Sequence, residues 1–287
     1  MNHFQNNNSP VVVGGVGGSG TRVIAQMLME AGVYIGDFLN DPKDNLWFTL
    51  LMRRPQLVKK NNEKAIKILL EIFRKRMFSE KLSFLETLKV RGAANDFILN
   101  KYVKSNEWYT FPISTSRSLR AKKLTDTDKV FWGWKEPNTL FFIPQLAKKF
   151  PEVKFLLVIR NGLDMAFTDN KVQIRNFGNH FGINGNSPSD SLEFWIRANN
   201  KAIETGKKIL GEKFKILRME ELCSNPKQET EALLKWAGIN YNESVLQKIS
   251  SIPKLPSSTN RYKEKDLSIF SKQQLQSVQQ LGYNISI

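Results

Sequence analysis

Cysteine occurs once in the 287 residues, at Cys223, so no disulfide can close within the chain, and a reducing compartment is expected. Histidine occurs twice, as His3 and His180, too few for a multi-histidine metal site. No Cys/His spacing resembles a zinc ligand set either, so no metal is expected. No apolar run reaches the roughly 20 residues that cross a bilayer. The first ten residues, "MNHFQNNNSP", lack the apolar stretch of a secretory signal and read as a flexible tail over residues 1–9. These absences point to the cytoplasm and to a chain without a membrane span. Internal repeats and low-complexity linkers are missing too. Acid is scarce: 27 Asp and Glu face 43 Lys and Arg, a net charge of +16. Such an excess favours anionic partners such as nucleotides, acidic glycans, nucleic acid or a membrane surface. Residues 53–76 hold nine of the bases against two Glu. Aromatic residues do not interleave there, which counts against a nucleic-acid surface. A solvated helix face explains the run equally well.

What is present is a strand-and-helix alternation. Four short apolar runs, Val11–Val13, Val130–Trp132, Phe155–Ile159 and Phe214–Leu217, read as buried parallel strands. Helical patterns follow at Ser19–Ala31, Asn138–Lys149, Ser189–Ile209 and Thr230–Ala237, the last stopping at Gly238 as a C-cap. This implies an α/β fold: a central parallel β-sheet flanked by helices on both faces, in one domain over residues 1–287. Residues 44–125 read instead as a helical insertion covering the sheet edge or a substrate site, with Ile66, Leu69, Leu70 and Phe73 on one helical face.

The segments after the strands carry the chemistry. The first strand runs into "GGVGGSGTR", five glycines within seven residues, opening a helix. A strand, glycine loop and helix N-terminus together present backbone N–H groups to an anion. The nucleoside-triphosphatase template G-x-x-x-x-G-K-[ST] fits at Gly15 and Gly20 and then fails. Thr21 stands at its lysine and Arg22 at its Mg²⁺-binding hydroxyl. The dinucleotide template G-x-G-x-x-G fits at Gly15, Gly17 and Gly20. It also needs a second strand ending in an acid, for which only Val33–Ile35 and Asp37 are on offer. An NAD(P)-dependent oxidoreductase is therefore the runner-up, and a basic nucleic-acid-binding protein is the non-enzymatic alternative. The other strand ends carry "GWKEPN", "RNGLDMAFTDN" and "RMEEL". In an open parallel sheet, Lys135, Arg160 and residues 14–22 would share one cleft.

Five of these segments, in order, resemble the sulfotransferases that use 3′-phosphoadenosine 5′-phosphosulfate (PAPS). "GGSGTRVIAQMLMEAG" is similar to the family's 5′-phosphosulfate loop, and "FLLVIRNGLDMAFTDN" to its 3′-phosphate motif. "WGWKEPN" looks like its Lys-x-Pro turn, "FKILRMEELCSNPKQETEALLKWAGI" like its strand-to-helix segment, and "LPSSTNRYKE" like the C-terminal loop that closes over the 3′-phosphate. The resemblance spans residues 11–264 except 44–125. It implies a three-layer P-loop-like fold and PAPS as sulfuryl donor, with no metal. It also implies a hydroxyl or amine acceptor, on a small molecule or glycan; the charge of the basic insertion, by itself, points to an anionic or polar acceptor such as a carbohydrate. No nucleic-acid partner is expected, for want of interleaved aromatics. Gly17, Gly18, Ser19, Gly20, Thr21 and Arg22 would hold the 5′-phosphate, and Arg160, Thr168 and Arg261 the 3′-phosphate. Thr168 is expected two turns along the helix that Arg160 precedes. The family usually has Lys or Arg where this chain has Gly18. Arg22 and Lys135 are the candidate replacements, Arg22 for the donor phosphate and Lys135 for the transferring group. Glu136 and His180 are the candidate general bases, with Glu136 preferred. Asp44 is a candidate pocket residue or a helix N-cap. Gly162 and Leu163 replace family Pro and Arg, read as a loss of rigidity.

Overall fold

The computed structural model describes residues 9–99 and 131–285. Four strands form one parallel sheet in the order β2-β1-β3-β4: β1 Val11–Gly15, β2 Gly133–Lys135, β3 Lys154–Ile159 and β4 Phe214–Arg218. β1 pairs with β2 on one side, Val12 opposite Trp134, and with β3 on the other, Val12 opposite Phe155. The chain thus steps from β1 to β2 and crosses back over β1 to β3. That reversal at β1 makes its carboxyl end the place where a ligand crevice forms.

Alternation along the strands builds two cores. Val11, Val13, Leu156, Val158 and Leu217 face one layer. This layer is made of α1 (Thr21–Glu30), α11 (Pro226–Ala237) and α12 (Glu243–Ser250). Gly238 ends α11 in the left-handed region, as its sequence predicts. Val12, Phe155, Leu157 and Ile159 face the other layer. There α6 (Ile143–Lys149) and the long α9 (Pro188–Leu210) pack beside the insertion helices.

The second strand lies later than expected. Trp132 makes only an isolated parallel bridge to Tyr34, and the strand proper is Gly133–Lys135. Val130 lies outside the described residues. β2 is an edge strand of Gly, Trp and Lys, so an apolar-run criterion stopped short of it. Residues 138–149 also differ from a single helix: a 3-10 stretch, Pro137–Phe142, precedes α6.

Within the expected insertion, residues 46–99 are helical: α2 Leu46–Met52, α3 Pro55–Lys60, α4 Glu63–Met77 and α5 Phe84–Leu99. The part at 100–125 lies outside the described residues. Asn62 caps α4 by accepting from Ala65 N, and Ile66, Leu69, Leu70 and Phe73 are buried as their spacing requires. Phe73 and Phe48 pack on Trp134 with ring centroids 4.8 and 5.5 Å away, so these helices cover the β2 edge. The basic run divides by side chain. Arg74 pairs with Glu71 and Glu80, Lys75 with Glu86, and Arg76 lies over Trp47, whereas Lys59, Lys60, Lys64 and Lys67 face solvent. No described helix is long and apolar enough to cross a membrane.

Candidate functional site

The glycine loop leaves β1 and enters α1 without a side-chain cap; Gly20 itself is the N-cap. Gly18 and Gly20 adopt φ of +100° and +95°, the region where a side chain is strained. In this backbone a lysine at Gly18 would carry that strain. Turned this way, the loop folds over Ser19, which is 1% exposed. The Ser19 hydroxyl has no partner, although a buried hydroxyl ordinarily finds one. Thr21 is buried behind it.

Beside the loop, the end of β2 delivers Lys135 and Glu136. The Lys135 ammonium, 2% exposed, is held by the Asp44 carboxylate and by Pro42 O at 2.9 Å. Two of its three N–H groups are thereby used. Asp44 is not the α2 cap; that is Asn45, which accepts from Phe48 N at 3.1 Å. Glu136 N bonds Val13 O, fixing this residue against β1. Its carboxylate caps the 3-10 stretch, accepting from Asn138 N at 2.8 Å and Asn138 Nδ2 at 2.7 Å. Burial, then the nearby Asp44, push the Glu136 carboxyl up to about 7, against the opposing pull of Arg53, the Asn138 bonds and Lys135. Asn138 Oδ1 accepts from Gln173 Nε2 at 3.0 Å, and Gln173 Oε1 accepts from Gly17 N at 2.7 Å. A continuous hydrogen-bonded line therefore joins the glycine loop to Glu136.

A second cationic cluster forms at the end of β3. Arg160 is 8% exposed; Nη2 donates to Ser258 Oγ at 2.7 Å, and Nε has no partner. Burial lowers its pKa, and the neighbouring Arg261 adds to this, while Asp164 and Glu220 oppose it. Two guanidiniums repelling each other across a buried space favour an anion between them. Arg261 is aimed by two backbone carbonyls, donating through Nε to Ser258 O and through Nη1 to Phe167 O, each at 3.3 Å. Asp164 secures this C-terminal loop, accepting from Asn260 N at 2.9 Å and Tyr262 N at 3.3 Å. Glu220 accepts from Asn161 N at 2.9 Å and ties the β4 end to the β3 end. The helix after Arg160, α7 (Gly162–Ala166), is a single turn. Lys171 Nζ closes its carboxyl end on Ala166 O at 2.9 Å.

A sequence profile of the Sulfotransferase family matches residues 10–243. The chain belongs to the sulfotransferase family. It is a sulfotransferase by family and fold. Among solved structures, the sulfotransferase domain of the Synechococcus olefin synthase superposes with a TM-score of 0.54 at 12% identity, over 98% of this chain and 97% of that one. The sulfotransferase domain of the curacin biosynthetic pathway gives 0.52 at 12% identity, over 97% and 99%. At that identity the likeness is one of fold. No curated protein matches the chain by sequence.

Within this sulfotransferase the expected residues fall into two groups and some outliers. Gly17 to Thr21 form one group, with Glu136 joined to it. Arg160, Arg261 and the Phe167–Thr168 turn form the other. Thr168 does not lie two turns along a helix: α7 has ended, Thr168 N bonds Met165 O, and its hydroxyl accepts from Asn170 N at 3.4 Å. The Arg261 bond to Phe167 O still brings it beside the cluster. Arg22 is exposed on the first turn of α1. His180 stands apart on an exposed 3-10 turn, edge-on to Phe181, with its pKa lowered by burial and then by Lys201. At Gly162 a Cβ would stand 2.6 Å from the Trp195 ring, so glycine lets α9 close on α7. Among the described residues no cluster of metal-ligating side chains occurs. Sequence reading assigned no role to Asp164, Gln173, Asn138 or Ser258. Asp164, Asn138 and Ser258 lie in the quoted motif segments and were within reach as polar residues there; Gln173 lies outside them, in a segment without a motif. A cleft opens from Val16 and Gly17 between Met165, Lys171, Phe194 and Trp195.

Proposed function

We propose that this sulfotransferase moves a sulfuryl group from PAPS to a hydroxyl or amine on a small-molecule or glycan acceptor. The observation that carries it is the placement of two donor-rich clusters at the carboxyl ends of adjacent strands, the glycine loop after β1 and Arg160 with Arg261 after β3; each includes one of the described buried polar atoms without a partner, Ser19 Oγ and Arg160 Nε. Leaving such a group unsatisfied costs about 1–3 kcal/mol, which a bound anion at each place would recover. A donor with phosphates at both ends of one nucleoside supplies two anions. Gly17 to Thr21 would hold the 5′-phosphate, with Arg22 beside them on α1. Arg160, Arg261 and Thr168 would hold the 3′-phosphate.

PAPS supplies the activated sulfuryl group. The acceptor oxygen or nitrogen forms its bond to sulfur as the sulfur–oxygen bond to the 5′-phosphate breaks, and that phosphate keeps the electron pair. Glu136 takes the acceptor proton. Its carboxyl, held near 7 by burial, suits a base at neutral pH. His180 is the weaker candidate, since none of its described contacts reaches the loop. Lys135 has one N–H left for the transferring group, and Asp44 keeps that ammonium in place.

The acceptor would approach through the cleft beside Gly17, whose wall joins Val16, Met165, Ile174, Phe194 and Trp195 to the polar Asn170, Lys171, Gln173 and Ser191, with Thr168 at the boundary with the 3′-phosphate cluster. The charge-based case for a carbohydrate is weaker than the basic run suggested, because its arginines are engaged within the fold. The same engagement speaks against a nucleic-acid partner. The dinucleotide reading lacks its second strand, for Tyr34 makes only a bridge and Asp37 is exposed beyond it. The free, half-buried Cys223 supports action in the cytoplasm. The test is calorimetry with 3′,5′-adenosine bisphosphate, ATP, NAD and NADP. Binding of the bisphosphate alone, tighter than about 1 μM, is expected. Preference for NAD(P), or binding of none of the four, overturns the reading.

A further inference from the structure

Gln173 lines the cleft given above to the acceptor, and its side chain also touches three backbone and side-chain groups of the site. It is the second residue of α8 (Val172–Phe177). Its carbonyl oxygen takes the Gly17 N–H at 2.7 Å, the shortest bond to the loop from outside it. Its amide reaches Asn138 Oδ1 at 3.0 Å and Gly15 O at 3.5 Å. Because Asn138 Oδ1 is thus engaged as an acceptor, its NH₂ is the end left for Glu136, at 2.7 Å. An amide with its two ends used in this way has one orientation only. We propose that Gln173 is a positioning residue that fixes Asn138 and, through it, the carboxylate of Glu136, so that the state of the Gly17 end of the loop is felt at the base. The assignment of Glu136 as base rests on the proposed function; the hydrogen-bonded line itself does not.

The physics sets the direction. A donated hydrogen bond stabilises the ionised carboxylate. With Gln173 in place, both Glu136 oxygens accept from Asn138. Without it, Asn138 is free to turn, and the ionised form loses a partner. The loop end of the line has its own consequence. An anion that claims the Gly17 N–H displaces the Gln173 carbonyl, loosens Asn138 and makes Glu136 more ready to hold a proton. The other charged groups facing Glu136 are Asp44 before α2, Arg53 after it and Lys135 on β2, and none is altered by a change at Gln173.

The experiment follows the Glu136 carboxyl by carbon-13 NMR titration, its signal identified as the one lost in Glu136→Gln. In Gln173→Ala its midpoint is expected to rise by about one pH unit, the effect of losing one charge-assisted bond. Gln173→Glu keeps the size and the Gly17 acceptor but cannot donate to Asn138; its midpoint is expected to rise at least as far. Asn138→Ala raises the midpoint too, and adding Gln173→Ala to it gives no further shift, because both act through one line. Each variant is first checked for native circular dichroism and cooperative thermal unfolding. An unchanged midpoint in Gln173→Ala and Gln173→Glu, or shifts that add in the double variant, overturns the proposal. Failure of the parent chain to bind the bisphosphate would instead strike the proposed function, while the titration result stands by itself.

Discussion

The two clusters proposed to hold anions are built from different materials. The glycine loop after β1 is made of backbone: two glycines in the positive-φ region, a buried serine hydroxyl and no cation in the loop itself. The cluster after β3 is made of side chains: two guanidiniums, a serine and a turn, aimed by Asp164 from below. The first kind is set by the chain's path and tolerates little substitution. The second is assembled from segments nearly 100 residues apart and depends on a loop being held down. The difference predicts that damage to the loop disturbs folding as well as binding, whereas damage to the side-chain cluster is confined to the ligand.

The largest effect is expected for Glu136→Gln, on the loop's side. Loss of a general base lowers kcat by about 10²- to 10⁴-fold with any acceptor that is turned over. The parent's rate should rise with pH through about 7, since the carboxyl must be ionised to take a proton and burial raises it to that value. In the variant that limb disappears; a limb that persists assigns the proton to another group. Next comes Gly20→Ala. Its Cβ would meet Met219 Sδ at 2.7 Å on a backbone at φ +95°, a cost of about 2–3 kcal/mol. Thermal unfolding should shift down by about 5–10 °C, together with loss of bisphosphate binding. Unchanged stability would remove the contrast between the two clusters. On the other side, Asp164→Asn loosens Asn260 and Tyr262 and should weaken bisphosphate binding about tenfold by calorimetry. Thr168→Ala, which removes one neutral donor at a turn, should weaken it only about fivefold.

Much of this was legible beforehand, and for stated reasons. β1 and β3 are buried on both faces, and the edge strand β4 still buries Phe214 and Leu217, so their apolar runs announced them, and the glycine loop and Arg160 followed directly. The helix over Glu63–Met77 carried its own cap and period. β2 was misplaced because an edge strand can hold Gly and Lys. Thr168 was assigned to a helix, but α7 stops at Ala166, where Phe167 N and Thr168 N both bond Met165 O and Lys171 Nζ bonds Ala166 O, a turn that the residue types do not announce. Asp164, Gln173 and Asn138 matter through what they touch across 35 to 158 residues of chain, which no spacing reveals.

The central claim is that two separate clusters hold two separate phosphates of one ligand. It is tested most directly by titrating the parent chain and Arg160→Ala with 3′,5′-adenosine bisphosphate and with adenosine 5′-monophosphate. The account predicts a loss of about 100-fold for the bisphosphate and a change of less than about threefold for the monophosphate. Equal losses for the two ligands, or no loss for the bisphosphate, would contradict it.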